Sequence, residues 1–133
     1  MAGTVTQSHE SIGPVGVVTL TVTADAADGS VPNTALSVKL SGLLLALETN
    51  PGATAPTLNY DITLEDAEGH DVLQGVGANR HNTNTEKVAA VYSGTTIHPP
   101  VAMSDTLTFK LAGNSINSAQ VVAKLYYQGA YNP

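Results

Sequence analysis

Residues 17–24 (VVTLTVTA) alternate with a period of two, and that alternation constrains the chain more than any other feature. Val18, Leu20, Val22 and Ala24 fall on one side of an extended backbone, and Thr19, Thr21 and Thr23 on the other. A helix would scatter the same residues around its circumference, so the pattern marks a half-buried β-strand. The pattern recurs along the chain. Leu36, Val38 and Leu40 alternate with Ser37 and Lys39, and Leu58, Tyr60, Ile62 and Leu64 with Asn59, Asp61 and Thr63. Leu107, Phe109 and Leu111 alternate with Thr106, Thr108 and Lys110. Ala119, Val121, Ala123, Leu125 and Tyr127 form one inward row, so Tyr126 points the other way.

Turn residues separate these runs. Residues 25–33 (DAADGSVPN), 50–56 (NPGATAP), 75–85 (GVGANRHNTNT) and 112–118 (AGNSINS) are connections rich in Gly, Pro, Asn and Asp. Ser41-Gly42 interrupts the second β region as a bulge or bend does. Leu43 to Leu47 is too short for a helix between such breakers and reads as a strand buried on both faces. Asp66-Ala67-Glu68-Gly69 reads as a hairpin turn, with residues 71–76 as the return strand. Residues 86–92 form a short strand and 93–103, with His98-Pro99-Pro100, an extended connection.

Seven or eight strands without a convincing helix imply an all-β fold, an antiparallel two-sheet sandwich or a small barrel. The long connections favour a Greek-key or jelly-roll path over a meander. Residues 1–13 read as a polar, irregular N-terminal arm, 14–127 as a single sandwich domain and 128–133 as a C-terminal tail.

Composition narrows the function. Of 133 residues 42% are hydrophobic, enough for one real core, and only 12% are charged, about half the usual share. The surface is therefore covered largely by Thr, Ser, Asn, Gln and Ala, which oppose close contact with other subunits less than charges do. The net charge is −6, and Lys39, Arg80, Lys87, Lys110 and Lys124 are scattered. Nucleic-acid binding needs clustered cations and is not expected. There is no cysteine, hence no disulfide and no thiolate metal site. The first residues, MAGT, lack the basic and apolar regions of a signal peptide, and the longest apolar run, residues 43–47, cannot span a membrane. A soluble protein, neither exported nor membrane-bound, is expected.

No constellation in the sequence spells out catalysis. Asp61, Glu65, Asp66, Glu68 and Asp71 crowd one segment and form a candidate calcium site. Their spacing departs from an EF-hand loop, and a solvated hairpin tip is the preferred reading. Two facing carboxylates would also serve a glycosidase, but the chain has no Trp and one Phe to make a sugar platform. His9, His70, His81 and His98 lack the spacing of a metal-ligand pair and read as loop or arm histidines. The segment GVGAN at residues 75–79 is not a dinucleotide fingerprint, since no helix follows it. No cofactor is expected, and no enzyme activity.

Four segments together point further: 42–52 (GLLLALETNPG), 56–71 (PTLNYDITLEDAEGHD), 77–85 (GANRHNTNT) and 105–127 (DTLTFKLAGNSINSAQVVAKLYY). They resemble small virion structural proteins of tailed bacteriophages, nearest to the head decoration, or cement, proteins with a jelly-roll-like sandwich. The resemblance spans roughly residues 40–127 and carries no catalytic residue. It implies a homotrimer on the capsid exterior that bridges neighbouring capsomers, with the major capsid protein as partner, after synthesis in the host cytoplasm. Interface residues are then expected in the N-terminal arm (Thr4, Val5, Ile12), the 75–85 loop (Asn79, Arg80, His81) and the C-terminal tail (Tyr126, Tyr131). The alternatives are a receptor- or carbohydrate-binding sandwich of a phage tail or fibre, and a tail or adaptor component.

Overall fold

The computed structural model describes residues 2–90, 92–93, 96–97 and 102–132, and the side chains of 2–90 and 106–130. The strands are β1 (Thr4–Ile12), β2 (Val15–Thr23), β3 (Thr34–Ala35), β4 (Lys39–Pro51), β5 (Asp61–Glu65), β6 (Glu86–Ala89), β7 (Tyr92–Ser93), β8 (Thr96–Ile97), β9 (Ala102–Asp105), β10 (Thr108–Ala112) and β11 (Gln120–Asn132). Among the described residues no helix is long and apolar enough to cross a membrane.

A six-stranded antiparallel sheet runs β1-β2-β11-β4-β6, with β9 also on β4. β6 lies opposite residues 46–49 of β4 and β9 opposite residues 40–43, so the two share one edge end to end. A three-stranded sheet, β3-β10-β5, forms the second layer, and β7 pairs with β8. From β2 to β6 each successive strand changes sheet, and so do β9, β10 and β11. The molecule is thus an antiparallel two-sheet sandwich, not a meander.

One buried cluster joins the layers. Val18, Leu20 and Val22 of β2, Leu44 and Leu47 of β4, and Val121, Ala123, Leu125 and Tyr127 of β11 face Ile62 and Leu64 of β5 and Phe109 and Leu111 of β10. The alternation of Val18-Leu20-Val22, Leu107-Phe109-Leu111 and Ala119 to Tyr127 matches burial residue by residue. Each such aliphatic side chain contributes roughly 1.5–3 kcal/mol by leaving water.

Four local readings change. The expected irregular arm is mostly β1, paired with β2 without a break from Thr4 opposite Thr23 to Ile12 opposite Val15. The tail continues β11, whose pairing with β4 reaches Asn132 opposite Lys39. Leu43 to Leu47 is a strand, but not one buried on both faces. A bulge near Leu45 shifts the register, so Leu44 and Leu47 are buried while Leu43 is exposed. Of the return strand expected at 71–76, only Asp71 pairs, in a single antiparallel bridge to Glu65, and residues 72–76 are turns, although Val72, Leu73 and Val76 are buried. His98, with Pro99 and Pro100, falls outside the described residues.

Opposite each other in the β4–β11 ladder stand Gly42 and Gly129, both with positive φ (140° and 149°). A Cβ on Gly42 would strike the Gln128 carbonyl oxygen, and one on Gly129 the Ser41 carbonyl oxygen. The close approach of the two backbones requires glycine on both sides.

Candidate functional site

The most exposed large apolar side chain among the described residues is Ile12, at 83%, in the β1–β2 hairpin beside Val15 at 40%. The hairpin turns at Gly13-Pro14, with Gly13 at φ 59°. β1 is the outermost strand of its sheet. Thr4, Thr6, Ser8 and Glu10 are exposed on it, while Val5 packs against the core. Gln7 fastens the strand to the other layer: its Nε2 donates to the Ala35 carbonyl (2.9 Å), and its Oε1 accepts from the Ser37 N–H (2.8 Å). His9 Nε2 lies 2.5 Å from the Tyr127 hydroxyl, with the rings stacked at 5.8 Å.

Natural edges are blunted by Lys, Pro or bulges because an open edge templates another strand. β1 (TVTQSHESI) has none of these devices and one formal negative charge, Glu10. Among the described residues no strand pairs with its outer side.

The loop residues have other duties. Asn79, exposed at φ 56°, donates its N–H to Asp61 Oδ1 (2.9 Å). Arg80, expected at an interface, has a side chain only 12% accessible. Its backbone bridges Tyr60, its Nε and Nη2 donate to the Ala78 carbonyl, and its Nη1 lies 3.5 Å from Glu86 Oε1. His81 Nδ1 accepts the N–H groups of Thr83 (3.1 Å) and Asn84 (3.0 Å), which closes a turn. On the outer face of the large sheet the Tyr126 hydroxyl donates to Glu48 Oε1 (3.3 Å), and Lys87 Nζ sits 3.9 Å from the Tyr126 ring centroid. Burial, then the Glu48 carboxylate, pushes the Tyr126 phenol above its ordinary pKa. Tyr131 stands opposite Leu40 on β11, and its side chain is outside the described set.

The proposed calcium ligands do not converge. Asp71 accepts the N–H groups of Leu64, Leu73 and Gly75. Asp66 accepts those of Glu68 and His70, and the His70 hydrogen bond is the main cause that holds its carboxyl below the ordinary value. Glu65 pairs with Lys110 (2.8 Å), Asp61 holds Asn79, and Glu68 is exposed. Among the described residues no three such side chains are grouped as a metal requires. Asp61, Asp66 and Asp71 thus act as separate backbone caps, and Glu65 is taken by Lys110.

Sequence reasoning missed the His9–Tyr127 contact, the Gln7 clamp and the fully buried Thr49 of β4. The inward position of Tyr127 was legible from alternation. Nothing local marks Gln7, whose partners lie 28 and 30 residues away, or Thr49, whose neighbours in the sheet, Glu86 and Ala123, lie far along the chain. A shallow groove beside Gly52, lined by Thr21, Thr23, Gln120 and Val122, carries no charged group.

Comparison of the chain with protein-family models, with curated proteins and with solved structures finds no match.

Proposed function

We propose that this chain is a structural virion protein that decorates a bacteriophage head and stabilises it by bridging neighbouring capsomers as a homotrimer. The observation that carries the reading is the open β1 edge, which ends in exposed Ile12 and Val15. A nine-residue strand with one charge and no blocking residue suits addition to a strand of a neighbouring subunit. The apolar tip beside it supplies a small anchor of the kind that fills a pocket on a partner. The resemblance of residues 40–127 to cement proteins supplies the partner, the major capsid protein, and the location, the outside of the head. Copies that bind only the assembled shell stabilise it by mass action, and many weak contacts add through multivalency.

Because β1 is part of the main sheet, deleting it would damage the fold, and point variants make the cleaner test. Purified protein is sedimented with heads that lack it, beside Ile12→Lys and Val15→Lys. The expected result is binding by the parent chain, at least tenfold weaker binding by both variants, and a trimeric native mass on or off the shell. Absence of parent-chain binding to heads overturns the decoration reading. Undiminished binding by both variants overturns the role of the β1 tip.

A further inference from the structure

Two successive backbone N–H groups, those of Thr83 (3.1 Å) and Asn84 (3.0 Å), donate to one atom, His81 Nδ1, and the Thr83 hydroxyl lies 3.3 Å from the same atom. An imidazole nitrogen accepts only through its lone pair, which is free only while that nitrogen carries no proton. Nδ1 is therefore bare, and the proton of the neutral ring sits on Nε2. The turn at residues 81–84 is thus closed by an acceptor that one proton abolishes.

We propose that His81 is a pH-dependent latch on this turn, closed by the neutral ring and opened by the imidazolium. On protonation Nδ1 becomes a donor that faces two backbone donors. The Thr83 hydroxyl can reverse and accept, but the two amides cannot. No rotation of the charged ring restores the pairing, because both of its nitrogens then donate. Histidine as a class takes up this proton between about pH 8 and about pH 5. The charged groups around the turn are Arg80, adjacent in the chain, Glu86 of β6 and, through the Asn79 N–H, Asp61 of β5. Carboxylates and guanidinium groups as classes change charge outside that range, so the histidine is the group that switches.

The ends of the turn are held by bonds that do not involve the ring. Glu86 Oε1 accepts the His81 N–H (2.7 Å), and Thr85 Oγ1 donates to Asn50 Oδ1 of β4 (2.9 Å). Opening is thereby confined to residues 82–84. Thr83 and Asn84 are exposed, so their freed N–H groups meet water and one proton suffices to release them. The latch follows from the geometry of the turn, whatever the loop contacts, and stands apart from the decoration reading.

The test is proton and nitrogen NMR of the full chain, parent beside His81→Asn, titrated from about pH 8 to about pH 5. The expected result is an Nε2–H ring for His81 at the alkaline end, with the Thr83 and Asn84 amide shifts moving at the same midpoint as the ring. In His81→Asn a side-chain oxygen closes the same kind of turn without titrating, so both amides should keep their positions across the range. An Nδ1–H ring at the alkaline end overturns the proposal. So do Thr83 and Asn84 amides that fail to follow the ring, or that titrate unchanged in His81→Asn.

Discussion

The ring of Tyr127 on β11 lies across Gly16 on β2. The two residues are paired in the ladder, and any Cβ on Gly16 would strike the hydroxyl end of the Tyr127 ring. Glycine here lets the ring cover the neighbouring strand and reach His9 on β1, so one aromatic side chain joins three strands. Gly16→Ala is expected to expel the ring at a cost of about 1–3 kcal/mol, as overpacking does. The fall in thermal midpoint and loss of the Tyr127 near-ultraviolet signal measure it. A variant as stable as the parent would show that the ring does not rest on Gly16.

Gln7 holds the edge strand to residues 35–37 with both ends of its amide. Gln7→Ala removes two hydrogen bonds at an exposed site and should destabilise by about 1–2 kcal/mol. Hydrogen exchange at the Ser37 amide should quicken, while amides in the β2–β11 ladder keep their relative protection.

Asp71 gathers three backbone N–H groups, and replacement leaves them without an acceptor. Asp71→Ala is expected to cost about 2–3 kcal/mol in urea unfolding, given the strength of hydrogen bonds to a charged group. Millimolar calcium should leave the midpoint of the parent chain unchanged. A calcium-dependent rise would return Asp61, Glu65, Asp66, Glu68 and Asp71 to the standing of ligands.

Burial holds the Tyr60 phenol above its ordinary pKa of 10.0. The unfolded chain therefore loses this proton first as pH rises, and the folded state is the one that retains it. Stability linked to Tyr60 is complete below pH 10 and declines as pH climbs through and beyond that value. Chemical denaturation between neutral and strongly alkaline pH should show this decline, and Tyr60→Phe should flatten it. Tyr126, shifted in the same direction, contributes with the same sign.

At the acid end the sign reverses. Asp66 is held below 3.8, chiefly by the His70 backbone N–H, so its contribution is present above that pH and fades as pH falls through the folded value. Asp66→Asn should make stability less sensitive to acid below about pH 4, read as a shallower loss of thermal midpoint.

The strands with hydrophobic alternation were legible because burial on one face imposes a period of two. β1 was not, because its inward residues include Gln7 and His9, and an edge strand buries less than a central one. Residues 71–76 misled for the opposite reason. Val72, Leu73 and Val76 are buried like a strand, but the Asp71 carboxylate and the positive φ of Gln74 and Gly75 wind them into turns. The Leu43 to Leu47 run concealed a change of face, since one extra residue at a bulge flips the pattern without altering composition. At the candidate site, the tyrosine pair revealed that one ring faces out. The role of Arg80 was hidden because its partners, Tyr60 and the Ala78 carbonyl, depend on a loop path no periodicity encodes.

β11 stands between β2 and β4 and is hydrogen-bonded to both, although it follows both in sequence. During synthesis from the N-terminus, β2 and β4 leave the ribosome without the strand that joins them. The β1–β2 hairpin can close early, but the large sheet cannot assemble until residues 120–132 have emerged. Until then β2 and β4 each offer a bare edge, and a second nascent chain nearby could fill either one with its own strand.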